Sequence, residues 1–116
     1  MKLLTSILTA AFAFFLAVPA ISQDRTGTLA KIDAAGEIVV GHRESSVPFA
    51  YLDENQKPIG YSIDLCMKIV DAVSAELGKE LKIKYVPVNP KTRIALMANG
   101  TIDLECGSTT NNLTRQ

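Results

Sequence analysis

The sequence predicts an α/β domain built on a parallel βαβαβ sheet. Residues 38–41 (Ile-Val-Val-Gly), 81–86 (Leu-Lys-Ile-Lys-Tyr-Val) and 102–106 (Ile-Asp-Leu-Glu-Cys) read as strands. Between each pair lies a segment of helical periodicity, and strands alternating with helices make a parallel sheet. Right-handed crossovers with the helices on opposite faces put the first strand in the centre, giving the spatial order 2-1-3. The order of connection then reverses between strands one and three, and a ligand crevice is expected there, outside the carboxyl ends of the strands.

The chain opens with Lys2, an apolar run through Phe12, Phe14, Phe15 and Leu16, and the small-x-small ending Ala20-Ile21-Ser22. An apolar core of roughly a dozen residues behind one lysine is the pattern of a secretory signal peptide, assigned to residues 1–22. It is too short to span a bilayer. Residues 23–28 read as a polar, mobile arm. A short helix follows over 29–35, stopped by Gly36 as its left-handed cap. The β-branched run 38–41 suits a strand buried on both faces. Phe49 to Leu52 and Ile59 to Tyr61 flank a polar tip, Asp53 to Pro58, as a small excursion.

Ser62 reads as the cap of the next helix, with Asp64 in its first turn, where a negative charge complements the dipole. Ile63, Cys66, Met67, Val70, Val73 and Leu77 share one face at helical spacing, and Gly78 ends the helix. The run 81–86 alternates, so one face of that strand is expected to be less covered. Asn89-Pro90 then predicts a second short helix, with Asn as cap and Pro at the first helical position. Its apolar stripe is Ile94, Met97 and Ala98, and Gly100 closes it.

Twelve basic residues balance twelve acidic ones. With Lys2 removed the balance is slightly negative, which offers neither a nucleic-acid surface nor a polybasic membrane patch. Residues 29–116 suffice for one small domain. In an exported chain Cys66 and Cys106 have access to an oxidising compartment. A bridge between them and two separate buried thiols both fit, because sequence does not carry the geometry that a disulfide requires.

The third strand runs into Gly107-Ser108-Thr109-Thr110, then Asn111-Asn112-Leu113-Thr114-Arg115, read as a loop and the first turn of a helix. Backbone N–H groups, the hydroxyls of Ser108 and Thr110 and a helix N-terminus suit a small anion. Arg115 adds a planar fork that fits a carboxylate. Beyond the signal peptide there are four arginines and seven lysines. Arg25 falls in the arm, whereas Arg43, Arg93 and Arg115 each follow the carboxyl end of a strand. Arg93 sits in the first turn of its predicted helix, where the dipole disfavours a cation by up to about 1 kcal/mol. Something anionic is expected to offset that cost. One arginine with two hydroxyls holds one carboxylate, and two more arginines hold a second, so the ligand expected is a small dicarboxylate. No metal-ligand spacing, Walker lysine, dinucleotide fingerprint or nucleophile–base pair is present, and no cofactor is expected. His42 reads as structural and Glu44 as a solvated loop residue.

The runs Gly41-His42-Arg43-Glu44-Ser45-Ser46 and Glu105-Cys106-Gly107-Ser108-Thr109-Thr110-Asn111-Asn112, with Gly60-Tyr61-Ser62, resemble the periplasmic glutamate/aspartate-binding proteins of bacterial ABC importers. The resemblance implies a type II periplasmic-binding-protein fold, of which residues 29–116 form an incomplete first lobe. It implies that Ser108, Thr110 and Arg115 hold the ligand's α-carboxylate and that Arg43 and Arg93 hold its side-chain carboxylate. It further implies a monomeric, periplasmic, non-enzymatic carrier whose partner is an inner-membrane ABC permease. Two departures stand out. Pro90 replaces a ligand-contacting serine that relatives can carry, and the second lobe is absent, with the downstream cysteine that the family pairs with the position of Cys106. The chain is therefore expected to be an amino-terminal fragment. A cyclohexadienyl dehydratase-like enzyme on the same scaffold and the sensor domain of a receptor are the competing readings; the first needs an acid–base group from His42 or Glu44.

Overall fold

A computed structural model describes residues 25–115, with the side chain of Arg115 excepted; the predicted signal peptide and the first residues of the arm lie outside the described residues. The elements are α1 (Gly27–Ala35), β1 (Glu37–His42), β2 (Ser45–Ser46), β3 (Ala50–Leu52), β4 (Pro58–Ile59), α2 (Tyr61–Leu77), β5 (Lys82–Pro87), α3 (Arg93–Ala98) and β6 (Leu104–Cys106), followed by a 3-10 turn, Leu113–Arg115. The main sheet has the order β5-β1-β6 and is parallel throughout. Counted along its own strands, that is the expected order 2-1-3. Ile38 faces Ile83, and His42 is in register with both Pro87 and Cys106, so the three carboxyl ends share one edge. The excursion folds as a second, antiparallel sheet, β2-β3-β4.

The central place of β1 explains its β-branched composition: Ile38, Val40, Gly41 and His42 are all buried. Ile32 of α1, Ile63, Cys66 and Val70 of α2, Ala50, Leu81 and Cys106 complete the core, with Met67, Val73 and Leu77 packed against it. The apolar face predicted for α2 is thus the face that the fold buries. Each fully buried aliphatic side chain contributes about 2 kcal/mol relative to exposure. β5 is an edge strand whose Lys82, Ile83 and Lys84 are exposed. Among the described residues no helix is long and apolar enough to cross a membrane.

Several local expectations give way. The arm predicted over 23–28 is shorter, because α1 already begins at Gly27 and Arg25 donates to the Glu76 carbonyl at 2.9 Å. Ser62 does not cap α2. The cap residue is Gly60, at φ 125°, and the first amides of the helix donate to the carbonyls of Pro48 and Phe49. A Cβ at Gly60 would lie 2.5 Å from the Phe49 carbonyl oxygen, so only glycine lets the two segments approach this closely. Asn89 and Pro90 do not open α3 either. The Asn89 side chain accepts from the Lys91 and Thr92 amides and caps a turn that leads into the helix, which itself starts at Arg93, whose amide donates to the Asn89 carbonyl. The predicted stripe of α3 points outward: Ile94 is 58% and Met97 38% exposed, while Arg93 is buried.

Two ion-pair clusters fasten α1. Lys31 bridges the Gly100 carbonyl and the buried carboxylate of Asp103, whose other oxygen accepts from the Val39 amide. Asp33 pairs with Lys79, just beyond the end of α2, and with Arg25. The hydrogen bond from Lys79, aided by the charges of Lys79 and Arg25, holds the Asp33 carboxyl below its ordinary value of 3.8. A folded value below the unfolded one contributes stability at higher pH and loses it as pH falls through the lowered value. Replacing Lys79 with methionine is expected to move the Asp33 midpoint back toward the ordinary value in a carboxyl-carbon NMR titration. An unmoved midpoint would remove Lys79 as the cause.

Candidate functional site

The shared carboxyl edge of β5, β1 and β6 brings together the segments that carry the predicted residues. Arg43 follows β1 directly and is half-buried. Gly107 follows β6, and a Cβ added to it would lie 2.9 Å from Arg43 Cγ and 2.3 Å from Glu105 Oε1. Arg43, Glu105 and the root of the Ser-Thr loop therefore meet, in a gap that only glycine leaves open. Strand alternation explains the meeting. Glu105 is in register with Gly41 and Cys106 with His42, so Glu105 and Cys106 face opposite sides of the sheet. Cys106 faces α2, and Glu105 the opposite side.

Arg93 is the most unusual residue of the edge. It is only 7% exposed, and among the described residues its buried Nε and Nη1 have no hydrogen-bond partner. A buried guanidinium with free donors costs several kcal/mol unless an anion meets it. Arg93 therefore does not point into water. Arg93 is the first residue of α3, which packs against β6, and the Ile102 amide, just before that strand, donates to the Leu96 carbonyl.

Ser108 and Thr110 are exposed in the loop after β6, beside the buried edge, and Thr110 makes an interaction of its own. Arg115 ends the 3-10 turn, so its backbone belongs to this loop region. His42 is buried, packs edge-on against Tyr85 with ring centroids 5.9 Å apart, and places Nδ1 3.3 Å from the Arg43 carbonyl oxygen. Glu44 is exposed. Among the described residues no group of three or more His, Cys, Asp or Glu could hold a metal ion.

Two contacts at the root of the loop were not read from the sequence as parts of the site. Ser62 Oγ donates to the Gly107 carbonyl at 2.7 Å, across 45 residues. One turn further along the same helix, Cys66 is disulfide-bonded to Cys106. The pairing of Cys106 with a cysteine further downstream, implied by the resemblance, is not the pairing found here. Glu105 is the third addition, because its Oε1 is buried and has no partner. Only the Glu-Cys-Gly-Ser run hinted at it.

Residues 38–116 match the bacterial extracellular solute-binding proteins, family 3. The chain belongs to that family. It is 52% identical to the L-glutamate/L-aspartate-binding protein of Pseudomonas aeruginosa over 100% of this chain and 39% of that protein. It is 58% identical to the glutamate/aspartate import solute-binding protein of Salmonella typhimurium over 77% of this chain and 30% of that one. Among solved structures, an ancestral amino-acid-binding protein described as a precursor of cyclohexadienyl dehydratase superposes with a TM-score of 0.63 at 29% identity, over 77% of this chain and 37% of that one. The family-3 chain thus spans between about a third and two fifths of the length of these relatives.

Proposed function

We propose that this family-3 chain supplies part of the ligand grip of a periplasmic, non-enzymatic carrier that binds L-glutamate or L-aspartate and delivers it, as a monomer, to an inner-membrane ABC permease. The observation that supports the reading is Arg93, a buried guanidinium at the start of the helix after β5, whose Nε and Nη1 have no hydrogen-bond partner among the described residues. An acidic amino acid offers two carboxylates. In this reading Arg43 and Arg93 take the side-chain carboxylate, and Ser108, Thr110 and Arg115 take the α-carboxylate through hydroxyls, amides and a planar fork. The names of the two curated relatives support the choice of ligand. The family description supports an extracytoplasmic location, and the periplasm is the finer proposal.

A dehydratase on the same scaffold is the second reading, favoured by the structural likeness to the dehydratase precursor. It needs a positioned acid–base group, and neither residue first considered for it suits: His42 is packed on Tyr85 and Glu44 is solvated. Amide NMR titration of the chain with L-glutamate, L-aspartate, L-glutamine and prephenate separates the readings. The acidic amino acids are expected to shift the amides of Arg43, Arg93 and residues 107–110, with prephenate left unconverted. An equal response to L-glutamine would refute the dicarboxylate assignment, and consumption of prephenate would favour the enzyme.

A further inference from the structure

We propose that Ser62 is a positioning residue of the anion loop, which aims the Ser108 amide at the ligand by holding the Gly107 carbonyl on the other side of the same peptide. The proposal rests on the reading of Ser108, Thr110 and Arg115 as a carboxylate clamp. Ser62 lies in the first turn of α2, yet its hydroxyl is not used for capping: the helix has no side-chain cap bond, and its first amides are satisfied by the carbonyls of Pro48 and Phe49. The hydroxyl instead reaches the Gly107 carbonyl, 2.7 Å away and 45 residues on. Among the described residues the only cis peptide is Val47–Pro48, so the Gly107–Ser108 peptide is trans. In a planar trans peptide the C=O and N–H point in opposite directions. With its carbonyl held toward α2, this peptide directs the Ser108 N–H away from the helix.

The rest of the loop root leaves that peptide little freedom. Cys106, one residue earlier, is fastened to the same helix through Cys66. The Gly107 Cα is hemmed in by Glu105 Oε1 and Arg43 Cγ. What the disulfide and the packing leave open is rotation of the peptide plane itself, and the Ser62 hydroxyl is the contact that sets it. An amide held in place before binding contributes more to holding a carboxylate than one that must first be ordered.

The test compares Ser62→Val, which keeps a branched side chain without the donor, with Ser62→Thr, which keeps the donor. Ser62→Ala serves if valine disturbs the first turn of α2. L-glutamate is titrated into each full chain while amide shifts are followed, with thermal unfolding measured alongside. Ser62→Val is expected to bind about tenfold more weakly, the loss of one charge-assisted hydrogen bond. Its Ser108 and Thr110 amides are expected to lose most of their response while those of Arg43 and Arg93 keep theirs, and Ser62→Thr is expected to restore both. The proposal is overturned if the valine and alanine variants titrate like the unsubstituted chain. It is equally overturned if all four amides lose response together in step with a lowered melting temperature, the mark of a merely structural role. If the unsubstituted chain responds at Arg43 and Arg93 but not at Ser108 and Thr110, the clamp reading fails and takes the proposal with it.

Discussion

Substituting methionine for Arg93 is expected to leave the fold as stable or more stable and, on the proposed carrier reading, to remove most of the affinity for acidic amino acids. The two effects have one cause. Arg93 is almost entirely buried, and two of its nitrogens have no acceptor. The fold therefore bears the desolvation of a cation, two of whose donors are unmatched among the described residues. Replacing a buried ion by an apolar side chain of similar volume is neutral or stabilising by roughly 1–4 kcal/mol. In the proposed bound state the same group meets a carboxylate, and truncating one partner of a buried charge pair costs about 2–5 kcal/mol, or some thirtyfold to several thousandfold in affinity. Chemical denaturation and an L-glutamate titration of the same variant read both halves. Destabilisation like that of an ordinary core truncation would mean that Arg93 is structural, and unchanged affinity would remove it from the site. Arg93→Lys is expected to recover only part of the binding, because an ammonium is a point charge and not a fork.

Loss of the Cys66–Cys106 disulfide is expected to bring the domain close to unfolding. The bond joins residues 40 apart in sequence. Cross-linking a loop of that size removes chain entropy from the unfolded state worth about 4 kcal/mol. A domain of this size has a total stability at the low end of roughly 5–15 kcal/mol, so one bond is a large share of it. Urea unfolding with and without reductant, or of the paired variants Cys66→Ala and Cys106→Ala, is expected to show a midpoint shifted far down. Identical midpoints would show that the bond constrains nothing that matters to the fold. The result also bears on function. Cys106 lies immediately before Gly107, so the bond that stabilises the core also fixes the root of the loop proposed to hold an anion. Such a bond persists in an oxidising compartment, in keeping with an exported protein.

The parallel sheet, its order and the apolar face of α2 were legible in the sequence because they follow from repeated local signals. β-branched runs, helical spacing over many turns and the handedness of crossovers reinforce one another. Where a signal was short, it misled. α3 is six residues long, too few turns for periodicity to choose a face, and Ile94, Met97 and Ala98 turned out to be its exposed side. Asn89-Pro90 has the chemistry of a helix start, but the Asn89 side chain and carbonyl are used by the turn before Arg93. Ser62 has the chemistry of a cap, and a glycine that packs against Phe49 took that place.

The sequence by itself determined the fold family, the order of the parallel sheet and the residue types suited to an anion, because each is written in contiguous runs. Only the tertiary structure decided that Arg93 is buried without a partner, that Cys66 is the partner of Cys106, that Glu105 lies against Gly107 and that Ser62 holds the Gly107 carbonyl. Each of these depends on where two distant segments meet. That meeting is set by how elements far apart in sequence pack on one sheet, which no local pattern of residues encodes.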